Sequence, residues 1–395
     1  MESHTQYSAM DLGELKELVL LHAGAQGIKP ELVAGILDGV ERADGAFPTS
    51  WASRWMEAGA AAESRGDFDL AVKLHNLGRF PYVDGDARQS AHQRCLGAFR
   101  AWCANGPAPI ASLQLTWEGH HFVTYVRRCM RPRAPLLLVF GGIVSIKEQW
   151  GLFLALADKL QVDVAVTELP GVGENTIPLT RDSHGMIKVI LDALNVGEQT
   201  GCHIVAMSFG GTLALRHAVR DSRIKGLTTV GAPVSCFYCD AEWWNRIPST
   251  TRITLTKILG CEQTETFGKI GELKLTASEL AAIRIPVYYV QSLRDEIIQC
   301  KETDDLQKIA GRQHLLRIDD VHGAPRHLRI VRLFVAYSIM NTLFAGSTRA
   351  KLLRAFAHVA TRFSRAKLQV FTPATGDYIN MNHSLHTEIE VSRKA

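Results

Sequence analysis

The pattern of hydrophobic and polar positions divides the chain into two parts. In the first part apolar residues recur every three or four positions, starting with Leu12, Leu15 and Leu18. This spacing predicts helices from residue 11 to about residue 106, and Pro30 suits the start of one of them. We therefore predict a helical N-terminal domain over residues 1–111.

The second part has the pattern of strands that alternate with helices. Two alternating runs joined by Glu118-Gly119 predict a hairpin over residues 112–126. Further short apolar runs predict strands at residues 136–140, 163–168, 203–206, 226–230, 287–291 and 315–318. Helical patterns lie between or after them, at residues 150–160, 183–194, 211–220 and 328–344. This alternation is typical of an α/β fold with a mostly parallel sheet and helices on both faces, here over residues 112–346.

Two segments do not fit this alternation. The gap between the strands at 226–230 and 287–291 is too long for one crossover helix, so residues from about 234 to 284 are predicted to form a helical lid. Residues 347–395 begin with a basic helix, for which a solvated surface position is the favoured interpretation. Contact with an acidic partner or with lipid headgroups is the alternative, and the last thirty residues are expected to be poorly ordered.

Composition narrows the class of protein. The 395 residues are 46% hydrophobic and 21% charged with a net charge of +4, which is ordinary for a globular domain and gives no sign of nucleic-acid binding. No signal-peptide pattern or membrane-spanning run is evident, so a cytoplasmic protein with eight reduced cysteines is expected. Cys236 and Cys239 have CxxC spacing without a second pair and are interpreted as structural. Neither a metal nor an organic cofactor is implied.

The candidate chemistry centres on Ser208. The apolar run at residues 203–206 predicts a strand before Ser208, and the residues after Ser208 predict a helix. A serine between small residues at such a turn is typical of a nucleophile elbow, which holds the hydroxyl above the edge of the sheet. Ala206 and Gly210 occupy the two small positions, with Ala206 where glycine is usual. The alternative is a buried serine in an ordinary connection.

A serine nucleophile needs a histidine base and an orienting carboxylate. Asp295 follows the strand at 287–291, and His322 follows the strand at 315–318, which gives the chain order serine, acid, histidine. Glu296 is an alternative acid. Asp319 or Asp320 would otherwise cap the next helix, and His327 is interpreted as a surface or packing residue.

Donors for an oxyanion are expected on two loops. The N–H group of Phe209, directly after the serine, is one candidate. The second is the N–H group of Gly142 or Ile143, because glycines after the strand at 136–140 let the backbone approach a substrate closely.

With these residues together, the chain resembles the FrsA-like α/β-hydrolases, the group of the fermentation/respiration switch protein. The matching pieces span residues 113–342. They are Phe140-Gly141-Gly142 with Ser145-Ile146-Lys147-Glu148, Leu169 to Glu174, the elbow Ser208 to Gly211, Gly231-Ala232-Pro233-Val234, and Asp295 with His322. The chain departs from the family at Val144, where an acidic residue is frequent, and at Ala206.

The resemblance implies an α/β-hydrolase fold and a serine hydrolase. Ser208 would form an acyl-enzyme from a β-dicarbonyl ketone, by C–C cleavage, or from an ester or thioester of an apolar, polyketide-like metabolite. Some C–C-cleaving relatives add a glutamate near the lid, a place occupied here by Glu242 or Asp240, and Trp243 would contact the substrate.

Other functions stay open at this point. A cyclase or acyltransferase would pass the acyl group to an internal nucleophile, with the substrate on a carrier protein. A regulatory module on the same fold would lack catalysis. Homodimer formation through the N-terminal helices is a further possibility.

Overall fold

The computed structural model describes residues 10–363, 366–371 and 378–380 of the chain. Contacts between Cα atoms separate two compact units. The first unit comprises Met1–Pro132, Val139–Thr180 and Arg246–Lys269, and the second comprises Arg133–Leu138, Arg181–Asn245 and Ile270–Ala395. The domain boundaries given by the sequence, at residues 111, 346 and around the lid, stay predictions.

Five helices open the first unit, as the apolar spacing predicted. They are α1 (Leu12–Ala25), α2 (Pro30–Asp38), α3 (Trp51–Glu63), α4 (Phe68–Arg79) and α5 (Gly85–Ala104). Trp51 and Trp55 of α3 are fully buried, and the Trp51 indole N–H donates to the Leu77 carbonyl at 2.8 Å. A Cβ at Gly59 would lie 2.3 Å from the His75 ring, so the close packing of α3 on α4 needs a glycine there.

The strands of the first unit are β1 (Ala111–Trp117), β2 (His120–Arg127), the end of β3 (Leu136–Phe140) and β4 (Asp163–Val166), in the order β1-β2-β4-β3. β2 pairs antiparallel with both β1 and β4. Phe99 of α5 packs against Tyr125 of β2 with ring centroids 4.8 Å apart, which fastens the helices to this sheet.

One helix prediction in the first unit is wrong. Residues 150–160 do not form a single helix but a 3₁₀ turn (Lys147–Trp150) followed by α6 (Gly151–Leu154) and α7 (Ala157–Leu160). The Leu156 N–H donates to Phe153, three residues back, which tightens the chain at the break. Leu154 and Ala157 are both fully buried as a result.

The second unit holds the mainly parallel sheet that the alternation of elements predicted. Its strands are β5 (Cys202–Met207), β6 (Ile224–Val230), β7 (Val287–Ser292), β8 (Gln313–Ile318), β9 (Lys367–Phe371) and β10 (Tyr378–Asn380), in the order β3-β5-β6-β7-β8-β9-β10. Pairing is parallel from β5 to β8 and antiparallel beyond. The parallel strands are almost completely buried.

Helices follow or connect these strands. Those of the second unit are α8 (Gly185–Ala193), α9 (Phe209–Ala218), α13 (Ala277–Ala282), α14 (Glu302–Leu306), α15 (Leu328–Leu343) and α16 (Thr348–Phe363). The segment predicted to form a lid contains α10 (Ala241–Arg246), α11 (Ser249–Leu259), α12 (Thr266–Gly271) and α13. Its middle part, Arg246–Lys269, clusters with the first unit. In the described part of the chain, no helix has the length and hydropathy that a membrane crossing requires.

The expectation of a poorly ordered tail is wrong for two segments. β9 pairs antiparallel with β8, so that Leu368 lies opposite Leu316 in the ladder, and both side chains are buried. β10 continues the sheet beyond β9. The remaining residues from 372 to 377 and from 381 onward lie outside the described residues.

A buried ion cluster joins two loops of the first unit. The Lys147 ammonium lies 3.0 Å from Glu148, 3.1 Å from Glu168 and 2.6 Å from Glu174. Glu168 also accepts the backbone N–H groups of Lys147 and Glu174. A Cβ at Gly173, where φ is +62°, would lie 2.3 Å from the Glu168 carboxylate, so this turn needs glycine. The two sequence pieces around Lys147 and Glu174 therefore meet in space.

The charges of this cluster shift one another's pKa values. Burial lowers the pKa of Lys147, but the three neighbouring carboxylates outweigh that effect and raise it well above its usual value. Burial raises the pKa of Glu148 to about 7, although the adjacent ammonium acts against this shift.

Removing the ammonium tests how much the cluster contributes to stability. Lys147→Met leaves buried carboxylates without their counter-charge, so we expect the free energy of unfolding to fall by about 3–5 kcal/mol. Urea unfolding followed by circular dichroism measures the loss. Lys188→Met is the matched control, because Lys188 forms an exposed pair with Asp192 and its loss should cost less than about 0.5 kcal/mol. An equal loss of unfolding free energy in the two variants would contradict a stabilising role of the buried ion cluster.

Candidate active site

The turn between β5 and α9 has the geometry of a nucleophile elbow. Ser208 has φ 49° and ψ −128°, a region that L-residues rarely adopt. Its N–H donates to the Val230 carbonyl at 2.9 Å, and its carbonyl accepts the Gly211 N–H at 2.8 Å. A Cβ at Gly211 would lie 2.2 Å from the Thr229 hydroxyl, so glycine lets the first turn of α9 approach the end of β6.

The structure brings together the three residues that the sequence order indicated. His322 Nε2 lies 3.1 Å from the Ser208 hydroxyl, and His322 Nδ1 lies 2.9 Å and 3.0 Å from the two Asp295 carboxylate oxygens. Asp295 follows β7 and His322 follows β8. The carboxyl ends of parallel strands lie at one edge of a sheet, which is why residues 27 and 114 positions from His322 meet there.

The neighbouring acids have different contacts. Asp295 Oδ1 also accepts the N–H groups of Ile297 at 2.9 Å and Ile298 at 2.7 Å, which fixes the carboxylate. Glu296, the alternative acid, instead accepts the backbone N–H of His322 at 3.0 Å. In this geometry Asp295, not Glu296, contacts the imidazole.

The electrostatic surroundings favour a protonated imidazole. Burial lowers the pKa of His322, but attraction to Asp295 and the hydrogen bond with it outweigh burial. The charge of Glu296 adds in the same direction, so the pKa of His322 lies above its usual 6.5. An imidazolium formed during a reaction would be stabilised by the same charges.

The acids directly before the histidine support its loop. Asp320 is completely buried and accepts the N–H groups of Val321 and Arg326 as well as His327 Nδ1, at 2.8 Å. Asp319 is exposed and forms an ion pair with Arg294. Asp320 thus accepts an N–H group at the start of the next helical segment, as the interpretation of a capping residue requires, and His327 packs against this carboxylate.

Two loops supply the candidate oxyanion donors. Phe209 is the first residue of α9, so its N–H has no acceptor within the helix, and its ring packs edge-on against Phe237. Gly142 and Ile143 follow β3 in the first unit, where the Gly142 carbonyl accepts the Ser145 N–H at 3.2 Å. The roles of these N–H groups stay predictions.

The lid residues predicted to bind substrate contact the loop that carries Asp295. The Trp243 indole N–H donates to the Ile297 carbonyl at 2.8 Å. Asp240 accepts the Trp243 backbone N–H and, at 3.2 Å, the Gln299 side chain. Glu242 is exposed in the first turn of α10. Contact of any of these residues with a substrate stays a prediction.

Aromatic residues at the start of the segment predicted to form the lid pack on one another. Phe237, Tyr238 and Trp244 are buried, and the Phe237 ring lies 5.3 Å from Phe209 and 6.2 Å from Trp244. In the structure Phe237 and Trp244 therefore pack against other aromatic residues.

Sequence reasoning missed two residues that shape the site. Gly231 has φ +59°, and a Cβ there would lie 2.9 Å from His322 Cε1 and 3.2 Å from the Asp295 carboxylate. The buried Glu302 carboxylate accepts the N–H groups of four consecutive residues, namely Val234, Ser235, Cys236 and Phe237. Gly231 stood in a family motif without an assigned role, whereas no local pattern pointed to Glu302.

The described residues contain no cluster of metal ligands. In residues 10–363, 366–371 and 378–380, no group of three or more His, Cys, Asp or Glu side chains is arranged to hold a metal ion. Cys236 and Cys239 are both free thiols.

Comparison with known proteins gives the class. A model of the α/β-hydrolase fold matches residues 134–259. A solved structure of AbyA5, described as wild type, is 35% identical, with a TM-score of 0.83 over 89% of this chain and 100% of that chain. A second AbyA5 structure is 34% identical, with a TM-score of 0.75 over 82% of this chain and 97% of that one. The protein thus has the α/β-hydrolase fold.

A more distant structure agrees in fold. The 2,6-dihydroxy-pseudo-oxynicotine hydrolase is 19% identical, with a TM-score of 0.67 over 83% of this chain and 96% of that chain. No curated protein sequence matches the chain. The chain belongs to the FrsA-like family of α/β-hydrolases, as its motifs indicated.

The space that Gly231 leaves for the histidine–acid pair can be tested. A methyl group in Gly231→Ala would displace His322 from Ser208, so we expect the rate of Ser208 labelling by a fluorophosphonate to fall about a hundredfold. Labelling is measured by intact-protein mass spectrometry over time.

Gly260→Ala is the control for backbone strain. Gly260 has φ +57°, close to that of Gly231, but a Cβ there would meet nothing within 4 Å. This variant should label at the wild-type rate. Comparable slowing in both variants would attribute the effect to strain and contradict the steric explanation.

Proposed function

We propose that the protein is a serine-dependent hydrolase that works through an acyl-enzyme. The observation that carries the proposal is the hydrogen-bonded series from the Ser208 hydroxyl through the His322 imidazole to the Asp295 carboxylate. A hydroxyl within reach of an imidazole that a carboxylate orients is the arrangement required for nucleophilic attack at neutral pH.

The reaction would proceed in two halves. His322 Nε2 takes the Ser208 proton while Oγ bonds to the substrate carbonyl carbon, and the Phe209 N–H stabilises the oxyanion. Collapse of the tetrahedral intermediate breaks the bond to the leaving group, which takes the proton from His322. Water then attacks the acyl-enzyme with His322 again as base. The carboxylic acid leaves, and the proton returns to Ser208.

The proposed substrate is a ketone of a β-dicarbonyl compound, an ester or a thioester. Each has a leaving group that departs without a metal, as a stabilised enolate, an alkoxide or a thiolate. An apolar, polyketide-like metabolite is consistent with the aromatic side chain of Trp243, which is only half-buried and contacts the loop that carries Asp295. The 2,6-dihydroxy-pseudo-oxynicotine hydrolase, which shares the fold, adds 2,6-dihydroxy-pseudo-oxynicotine as a compound to include in a test panel.

The acyl-enzyme is tested by mass spectrometry of the intact wild-type protein and of Ser208→Ala. Each is incubated with a fluorophosphonate and then with a panel of β-diketones and aryl esters. We expect one covalent adduct on the wild type and none on Ser208→Ala, with turnover of at least one panel member by the wild type alone. Cys239→Ala, which removes an exposed thiol, is the control and should still be labelled. An absent adduct on the wild type would favour a binding module instead.

The pH dependence of labelling tests the role of His322. Only neutral imidazole accepts the Ser208 proton, so labelling should accelerate as the pH rises through the pKa of His322, with the inflection above 6.5. Glu296→Gln removes a negative charge that raises this pKa, so the inflection should move to lower pH. Asp319→Asn removes an exposed charge paired with Arg294 and should leave the inflection in place. An unchanged inflection in Glu296→Gln would contradict the electrostatic assignment.

A further inference from the structure

The helix α16 exposes a row of large apolar side chains. Leu352, Phe356 and Val359 are 53%, 61% and 47% exposed. Their spacing of four and then three residues places them on one face of the helix. Scattered single apolar residues are normal on a protein surface, but three in one row on one helix are not.

The opposite face of α16 is fixed to the second unit. Ala350, Ala357 and Thr361 are buried, and the helix packs along α15 and against β9. The exposed row therefore belongs to a helix that is held in place on its other side. Because this face is buried, the apolar row forms a ridge on the outer side of the helix.

Positive charge borders this ridge on both sides. At 100° per residue, Arg349 lies about 60° from Leu352 on one side and Lys351 about 100° on the other. Both side chains are exposed. Between residues 347 and 376 the sequence has six Lys and Arg residues and no acidic residue. The partner of this surface must therefore be anionic as well as apolar.

We propose that α16 docks in the plane of an anionic phospholipid surface. Leu352, Phe356 and Val359 enter the boundary between headgroups and acyl chains, and Arg349 and Lys351 reach the phosphates with their long side chains. This contact does not cross the bilayer and is independent of the proposed hydrolase reaction.

Two other occupants fit the observations less well. A second copy of the chain would bring the same basic residues together across the contact, and like charges repel. An acidic protein would need an apolar groove shaped to the ridge, whereas a bilayer adapts to a ridge of any shape.

Flotation of the full-length protein with vesicles tests the proposal. The vesicles consist of phosphatidylcholine alone or of phosphatidylcholine with about 40% phosphatidylglycerol. We expect the protein to bind the anionic vesicles. Each basic residue at the lipid surface should raise the partition coefficient at least about fivefold over that for phosphatidylcholine alone. Raising the salt concentration from low to high should release the protein.

Surface variants separate the apolar contribution to vesicle binding from the electrostatic contribution. Phe356→Ser should lower the partition coefficient about tenfold through lost burial, and Arg349→Gln with Lys351→Gln should lower it about twentyfold through lost charge. Leu20→Ser, on α1 with a similarly exposed leucine, and Lys29→Gln, an exposed lysine before α2, are the matched controls and should bind like wild type. Circular dichroism verifies that each variant is folded.

Three outcomes would overturn the proposal. Wild-type protein that stays unbound with anionic vesicles would exclude the lipid surface. Equal loss in Leu20→Ser and Phe356→Ser would show nonspecific adsorption. Wild-type dimers in light scattering that Phe356→Ser abolishes, without vesicle binding, would assign the ridge to a second copy of the chain.

Discussion

The backbone conformation of Ser208 is the constraint on which the candidate site depends. Its φ and ψ angles lie in a region where a residue with a Cβ carries strain of about 1–3 kcal/mol. Such a conformation persists only where the surrounding structure imposes it. Hydrogen bonds to Val230 and Gly211 impose it here. The same sharp turn brings α9 against the end of β6, which leaves no room for a side chain at Gly211. The strained turn at Ser208 thus requires glycine at position 211.

Buried carboxylates fix the loops that surround this serine. Glu302 binds the backbone of the loop after β6, Asp295 binds that of the loop after β7, and Asp320 binds that of the loop after β8. Each accepts at least two N–H groups, and hydrogen bonds to an ionised acceptor are stronger than those between neutral groups. Asp295 therefore acts on both the loop and the imidazole, which couples the position of the histidine to the backbone beside it.

Local patterns carried much of the fold prediction. The helices α1 to α5 and the strands β3 and β5 to β8 were predicted because their periodicity is contained in short windows. The order of Ser208, Asp295 and His322 followed from the strands that precede them. β9 was missed because it is only five residues long and follows a basic segment. Its strand character comes from pairing with β8.

Long-range contacts had no signal in the sequence. Glu302 contacts backbone groups 65 to 68 residues away, and Glu14 accepts the N–H groups of Ser249 and Thr250, 235 and 236 residues away. A carboxylate that accepts backbone N–H groups places no demand on the identity of its partners. Such contacts leave no pairwise pattern that one sequence can display.

The buried Glu148 makes the folding of the first unit a proton-uptake reaction. An ordinary glutamate in an unfolded chain has lost its proton by neutral pH, whereas burial raises the pKa of Glu148 to about 7 in the folded protein. Folding near neutral pH therefore binds protons at this carboxyl group. Since the folded state holds more protons here, this group's contribution to stability is fully present below about pH 4.5 and declines as the pH rises through 7. A rise in pH from about 4.5 to about 7 thus weakens the interior of the first unit through a buried carboxyl group.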